Sequence, residues 1–243
     1  MAVITGASTG LGAAVAEGLA ANGWSLVIDG RDPGPLAGEA LRLRAIQGRA
    51  GDATVVTVVG DVADPGHRQQ LVAAVGALRQ VDVVVLNASI LGPSPQPLLA
   101  DYPLDVLRAV YEINTIAPLA ILQDLSSWLR AGPAPRVIAV TSDAAVEPYP
   151  GWGGYGSSKA ALEQLSAIWG AEQPWCRTWT VDPGDLRTRL HQQAFPGEDI
   201  SDSPEPATVV PAMLALIESD RPSGRVRLDD VTLHPAGDTG PAR

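Results

Sequence analysis

Short apolar runs rich in β-branched residues recur along the chain at Ala2 to Thr5, Ser25 to Ile28, Thr54 to Val59, Val81 to Leu86, Arg136 to Thr141, Arg177 to Val181 and Arg225 to Leu228. They are apolar at successive rather than alternate positions, the pattern of strands covered on both faces in a parallel sheet. Between the first two, Leu11, Val15 and Leu19 recur every four residues and predict one apolar helix face across Gly10 to Asn22, with Gly23 as the stop signal. Similar spacing predicts helices over Leu36 to Arg49, Pro65 to Leu78, Pro103 to Leu129, Ser157 to Ala171 and Glu205 to Ser219. Strand and helix alternate throughout. The expected fold class is therefore α/β, a Rossmann-type doubly wound parallel sheet in three α/β/α layers.

Composition narrows the partners. The chain has 243 residues with no shift in composition and no convincing linker, so a single domain over 1–243 is expected. Seventeen basic residues against twenty-seven acidic ones give a net charge of −10, which disfavours nucleic acid as a partner. Sixteen of the basic residues are arginine and only one, Lys159, is lysine. A single cysteine, Cys176, allows no internal disulfide, and the scattered His67, His191 and His234 make no zinc spacing, so no metal is expected. No apolar run reaches the roughly 18 residues of a membrane span, and the start carries no signal-peptide pattern. A soluble cytoplasmic protein is expected.

The first strand runs directly into Thr5-Gly6-Ala7-Ser8-Thr9-Gly10-Leu11-Gly12 and then into the amphipathic helix. A glycine-rich turn between strand and helix lets the backbone approach a pyrophosphate, which then sits at the positive helix N-terminus. The spacing is Gly-x-x-x-Gly-x-Gly, and this variant resembles the short-chain dehydrogenase/reductase family. Further motifs follow in the family's order: Gly60-Asp61-Val62, Asn87-Ala88-Ser89, Glu112-Ile113-Asn114, Thr141-Ser142, Tyr155-x-x-x-Lys159 and Pro183-Gly184-Asp185-Leu186-Arg187-Thr188. The resemblance extends to about Thr188. It implies that residues 1–140 mainly bind the dinucleotide and that 141–205 carry catalysis and the substrate loops.

Tyr155 and Lys159 are four apart and share a helix face, where an ammonium can stabilise a phenolate. A free tyrosine has a pKa of about 10, so acid/base work near neutrality requires a fixed neighbouring cation. The resemblance implies that Tyr155 exchanges a proton with substrate, Ser142 holds the substrate oxygen, and Asn114 fixes its helix and a water leading to Lys159. It also implies that Gly6, Ser8, Thr9, Gly10, Leu11, Gly12, Arg31, Asp61, Val62, Asn87, Ala88, Ser89, Pro183, Gly184, Leu186 and Thr188, with Tyr155 and Lys159, contact the coenzyme. Each residue has a plainer reading taken singly: a solvated Tyr–Lys pair, a serine capping a turn, or an asparagine bonding nearby backbone.

The second strand leads into Asp29-Gly30-Arg31-Asp32, where the residue facing the adenosine ribose should lie. A carboxylate there would favour NAD, whereas Arg31 could pair with a 2′-phosphate. In the family's register Gly30 holds the selecting position and Arg31 follows it, similar to NADP-using members, so NADP(H) is expected over NAD(H). Substrate choice is expected in Ala144 to Gly154 and Leu186 to Pro204, with Tyr149, Trp152, His191 and Phe195 lining a cleft for a mid-sized, partly apolar molecule. Asp143 could meet a polar or cationic substrate group or cap a turn, and the turn is the favoured reading. A homodimer through the helices carrying Asn114 and Tyr155, or the tetramer usual for the family, is expected, although Leu233 to Asp238 lacks the family's terminal Asp-Gly-Gly. The expected function is NADP(H)-dependent interconversion of a small-molecule carbonyl and an alcohol. The alternatives are an NAD-linked alcohol dehydrogenase or epimerase and a non-catalytic NADP-binding regulator.

Overall fold

The computed structural model describes residues 1–48 and 53–232. The last residue of the helix expected over Leu36 to Arg49, together with His234 and the segment from Leu233, lies outside them. Seven parallel strands form one sheet: β1 (Ala2–Ile4), β2 (Leu26–Gly30), β3 (Val55–Val59), β4 (Val83–Leu86), β5 (Arg136–Val140), β6 (Arg177–Asp182) and β7 (Gly224–Arg227), in the order β3-β2-β1-β4-β5-β6-β7. This is the doubly wound α/β sheet expected from the sequence.

Side chains alternate between two cores, as the pleat requires. Ile4, Ile28, Val85, Ile138 and Trp179 face α1 (Gly10–Ala21), α2 (Pro33–Gln47) and α8 (Val210–Glu218). Val3, Val27, Val84, Val137 and Ala139 face α3 (Pro65–Leu78), α5 (Ala117–Ala131) and α6 (Gly153–Glu172). Burial on both faces is why these strands read as unbroken apolar runs. The triplet Asp-Pro-Gly starts two helices. Asp32 accepts from the Gly34 amide at 3.0 Å and Asp64 from the Gly66 amide at 2.9 Å, each with proline in the first turn, where its missing N–H costs nothing.

Four expectations change. The helix expected over Glu205 to Ser219 opens as a 3-10 turn, Pro206–Val209, and only then becomes α8. The helix expected over Pro103 to Leu129 is two helices, α4 (Leu104–Tyr111) and α5, joined by one π turn at Glu112–Ile116. Pro118 has no N–H for the bond that the Asn114 carbonyl would ordinarily accept, so the ladder shifts register there. The helix expected from Ser157 begins at Gly153, which places Tyr155 on α6 beside Lys159. The stretch Leu186 to Pro204 is not all loop, because it contains α7 (Arg189–Ala194), capped by Thr188 Oγ1 accepting from the His191 amide at 3.2 Å. Among the described residues no helix is long and apolar enough to cross a membrane.

Trp179 is fully buried at the centre of β6, and its indole N–H donates to the Pro222 carbonyl at 3.0 Å. Trp179→Ala is expected to lower unfolding stability by about 3–5 kcal/mol, read from urea midpoints at constant slope.

Candidate active site

The strand order reverses between β1 and β4, and there the carboxyl ends of the strands part into a crevice. The parting leaves backbone groups without ladder partners, and two side chains take them up. Thr5 Oγ1 accepts from the amides of Asn87 and Ala88, both at 3.0 Å, while Asn87 Nδ2 donates to the carbonyls of Thr5 at 2.9 Å and Gly6 at 3.1 Å. A Cβ at Gly12 would lie 2.5 Å from both Asn87 Nδ2 and the Gly6 carbonyl, so only glycine fits. Gly6 turns with φ of 64° and its amide donates to Asp29 Oδ1 at 2.6 Å.

The resulting cleft, about 290 Å³, is lined at its floor by Gly6, Ser8, Thr9, Gly10 and Leu11, and beside the ends of β2 and β3 by Asp29, Gly30, Arg31, Gly60, Asp61 and Val62. Asn87, Ala88 and Ser89 follow from β4, and Pro183, Gly184, Leu186 and Thr188 from the segment after β6. Ser142, Tyr155, Lys159, Trp152 and His191 close the far end. Four expected residues are not on the cleft wall. Gly12 lies beneath it, Tyr149 stands outside with its hydroxyl donating to Asp143 Oδ2 at 3.0 Å, Asn114 is buried behind it, and Phe195 packs against Trp152 and His191.

The Asn114 side chain is fully engaged by protein. Its Oδ1 accepts from Ser89 Oγ at 3.0 Å and the Ile90 amide at 2.9 Å, and its Nδ2 donates to the Ile90 carbonyl at 2.9 Å and Ser158 Oγ at 3.0 Å. It thus clamps the segment after β4 to α6. Ser142 Oγ accepts from the Ala144 amide at 3.2 Å and donates to Asp143 Oδ1 at 2.8 Å, so it caps a 3-10 turn while facing the cleft. Asp143 is more than the expected turn cap, because it also lines the cleft.

Lys159 is 1% exposed, its Nζ donating to the Val140 carbonyl at 2.8 Å and standing 5.6 Å from the centre of the Tyr155 ring. Lys159 is thus held by main chain with its charge near the Tyr155 ring, on the same face of α6. Burial lowers the Lys159 ammonium to about 7. Burial also raises the Tyr155 phenol far above its ordinary value, a rise the Ser89 hydroxyl opposes and the Asp143 and Asp182 carboxylates reinforce.

Trp152 meets Tyr155 edge-on at 5.9 Å between ring centres and Phe195 at 6.1 Å, while His191 lies 5.0 Å from Phe195. Leu91 and Leu190 pack into the same cluster. Ile90, Ile113, Val140, Arg189 and Leu190 also line the cleft, although none was singled out for it in the sequence. Ile90 follows β4, Val140 ends β5, Ile113 lies on the π turn and Arg189 and Leu190 open α7. Among the described residues no group of three or more histidine, cysteine or carboxylate side chains could hold a metal.

The short chain dehydrogenase family model matches residues 1–199. The chain belongs to the short-chain dehydrogenase family. Its members are oxidoreductases acting on CH–OH and C=O groups. An uncharacterized oxidoreductase of Escherichia coli, YciK, is 27% identical over 90% of this dehydrogenase and 86% of its own length. An L-rhamnose 1-dehydrogenase (NAD(P)(+)) of a Sphingomonas species is 31% identical over 78% of this chain and 74% of its own. Among solved structures, a short chain dehydrogenase of Shigella flexneri complexed with NADP superposes with a TM-score of 0.84 at 27% identity, covering 93% of this chain and 95% of that one. One from Pseudomonas syringae gives 0.86 at 26% identity, with 93% of each covered.

The lowered Lys159 carries a definite sign. Between about pH 7 and the ordinary lysine value the unfolded chain holds a proton that the folded one has released, so stability rises with pH across that window. Below it the buried ammonium is charged in both states and the full penalty applies. Lys159→Met is expected to be more stable than the coenzyme-free wild type at pH 6, with the advantage shrinking toward pH 9 in urea titrations.

Proposed function

We propose that the protein is an NADP(H)-dependent carbonyl reductase or alcohol dehydrogenase in which Tyr155 is the acid/base. The observation carrying this reading is the convergence of Ser142, Tyr155 and Lys159 at one end of a cleft whose other end is the glycine loop of β1 and α1. The residues present suit a dinucleotide. Gly6 and Gly10 adopt positive φ at the N-terminus of α1, and even a Cβ at Gly10 would meet nothing closer than Thr188 Cγ2 at 3.6 Å, leaving the helix start open to a phosphate. When bound, the nicotinamide supplies or accepts the hydride.

The chain's own groups handle the proton and the orientation. Ser142 lines the cleft, and its hydroxyl, which here donates to Asp143 Oδ1, turns to the substrate oxygen when one is bound. The Tyr155 hydroxyl gives its proton to that oxygen during reduction and takes it back during oxidation. Lys159, fixed by Val140, supplies the positive charge that makes a phenolate accessible near neutrality. Asn114 keeps α6 in register with the segment after β4. The Trp152, Phe195 and Leu190 cluster excludes water and accepts the apolar part of a substrate.

The acidic residues flanking Arg31 support the NADP reading. Asp29 is 1% exposed and committed to the Gly6 amide and to His67 Nε2 at 3.1 Å, and Asp32 caps α2, so neither is placed to hold ribose hydroxyls. Arg31 is exposed at the rim, and a Cβ at Gly30 would press on Ser8 at 3.0 Å, so that corner holds Ser8 and a basic fork.

Turnover of a panel of ketones, aldehydes and quinones, followed at 340 nm with each coenzyme, tests the reading. NADPH is expected to be preferred, and Arg31→Ala to raise the KM for NADPH about tenfold or more while leaving that for NADH nearly unchanged. A preference for NADH that survives Arg31→Ala refutes the coenzyme assignment. Tyr155→Phe is expected to abolish turnover and retain NADPH binding by tryptophan fluorescence. Tight NADPH binding by a wild type that turns over nothing in the panel would instead favour the regulator.

A further inference from the structure

The residues that must act together come from three separate places: Ser142 follows β5, Tyr155 and Lys159 lie on α6, and the Pro183-Gly184 turn follows β6. One side chain joins all three from behind. Arg225 stands on β7, paired opposite Thr180 of β6. Its Nε donates to Glu163 Oε1 at 3.0 Å, and its Nη2 donates to Asp182 Oδ2 at 2.9 Å and to the Ser142 carbonyl at 3.3 Å.

Each acceptor is tied onward to the site. Glu163 lies one turn beyond Lys159 on α6, and its Oε1 also accepts from Thr141 Oγ1 at 2.7 Å, immediately before Ser142. Asp182 Oδ1 accepts from the Gly184 amide at 3.1 Å, setting the turn that lines the cleft. The side chains are mostly withdrawn from solvent, at 28% exposure for Arg225, 16% for Glu163 and 5% for Asp182. None of the three lines the cleft.

We propose that Arg225 is a positioning residue for the reaction inferred above, holding Ser142, α6 and the Gly184 turn in one mutual geometry; the proposal rests on that reading of the site. A guanidinium is planar with donors in a fixed fork, so acceptors on three elements are held at fixed separations, which a single ammonium on a flexible stem does not do. Without it Glu163 and Asp182 would face each other as unneutralised, partly buried carboxylates. The main-chain carbonyl of Ser142 is gripped while its hydroxyl is left to Asp143 and the Ala144 amide at the cleft wall. Arg225 also lies beyond residue 199, where the family model match ends, so the last strand completes a site whose other parts lie within the match.

The test uses the full-length protein with Arg225→Met, which keeps the apolar stem, Arg225→Lys and Glu163→Gln. Two readouts are taken: amide hydrogen exchange without coenzyme, and kcat and KM with NADPH and 9,10-phenanthrenequinone as probe. Arg225→Met is expected to speed exchange in residues 141–145 and 182–186 while leaving 2–12 and 26–30 unchanged. It should also lower kcat about 10- to 100-fold with the KM for NADPH moved less than about threefold. Arg225→Lys should recover only part of the loss, and Glu163→Gln should show the same pattern more weakly. If Arg225→Met does not fold, Glu163→Gln decides by the same two readouts. Unchanged exchange in 141–145 and 182–186, or a kcat within about twofold of wild type, overturns the proposal, as does a loss confined to the KM for NADPH. Absence of turnover by the wild type counts against the proposed function alone, and exchange then decides the role of Arg225.

Discussion

The site depends on how the chain closes the split between β1 and β4. A parallel sheet that sends helices to opposite faces must part at the reversal, and the parted ends carry amides and carbonyls that no strand can satisfy. Thr5 and Asn87 satisfy them reciprocally, and that stitch brings the two strand ends so close that residues 6 and 12 have no room for a side chain. The glycine loop is thus shaped as much by the strand beside it as by any phosphate. The open N-terminus of α1 and the position of Ser89 both follow from this closure.

Around that split the protein accepts electrostatic arrangements that a purely structural core would avoid. A lysine is buried with its charge weakened, a phenol is buried beside two carboxylates, and an Arg–Glu–Asp cluster lies behind them. Groups of this kind cost stability unless each is closely partnered, and perturbed groups gathered in one cleft are the signature of a working site. The large cores of β-branched and leucine side chains on both sheet faces offset that cost.

Much of this was legible in the sequence. Strands buried on both faces announce themselves as unbroken Val and Ile runs, and the ordered motifs from Gly6 to Thr188 located most of the cleft wall. What was not legible depends on contacts far apart in the chain. Gly153 and Gly154 read as loop, yet they begin α6, and they are glycine there because Leu99 and the Tyr102 ring occupy the space where their Cβ atoms would go. The break at Asn114 had one local signal, Pro118, and one distant cause, the backbone of Ile90. Asp-Pro-Gly occurs three times with the same Asp-to-Gly amide bond, but at Gly184 a φ of 73° turns the chain away from helix. No local pattern distinguishes that third case.

The lone lysine has a last consequence, for the protein's covalent chemistry. Lys159 is 1% exposed, so the surface presents no lysine side chain at all. Reagents that acylate lysines, and glutaraldehyde, which cross-links them, find no lysine outside the cleft. Burial lowers Lys159 to about 7, so more of it is unprotonated at neutral pH than of a solvated lysine. To lysine-directed chemistry, the molecule is little more than its cleft.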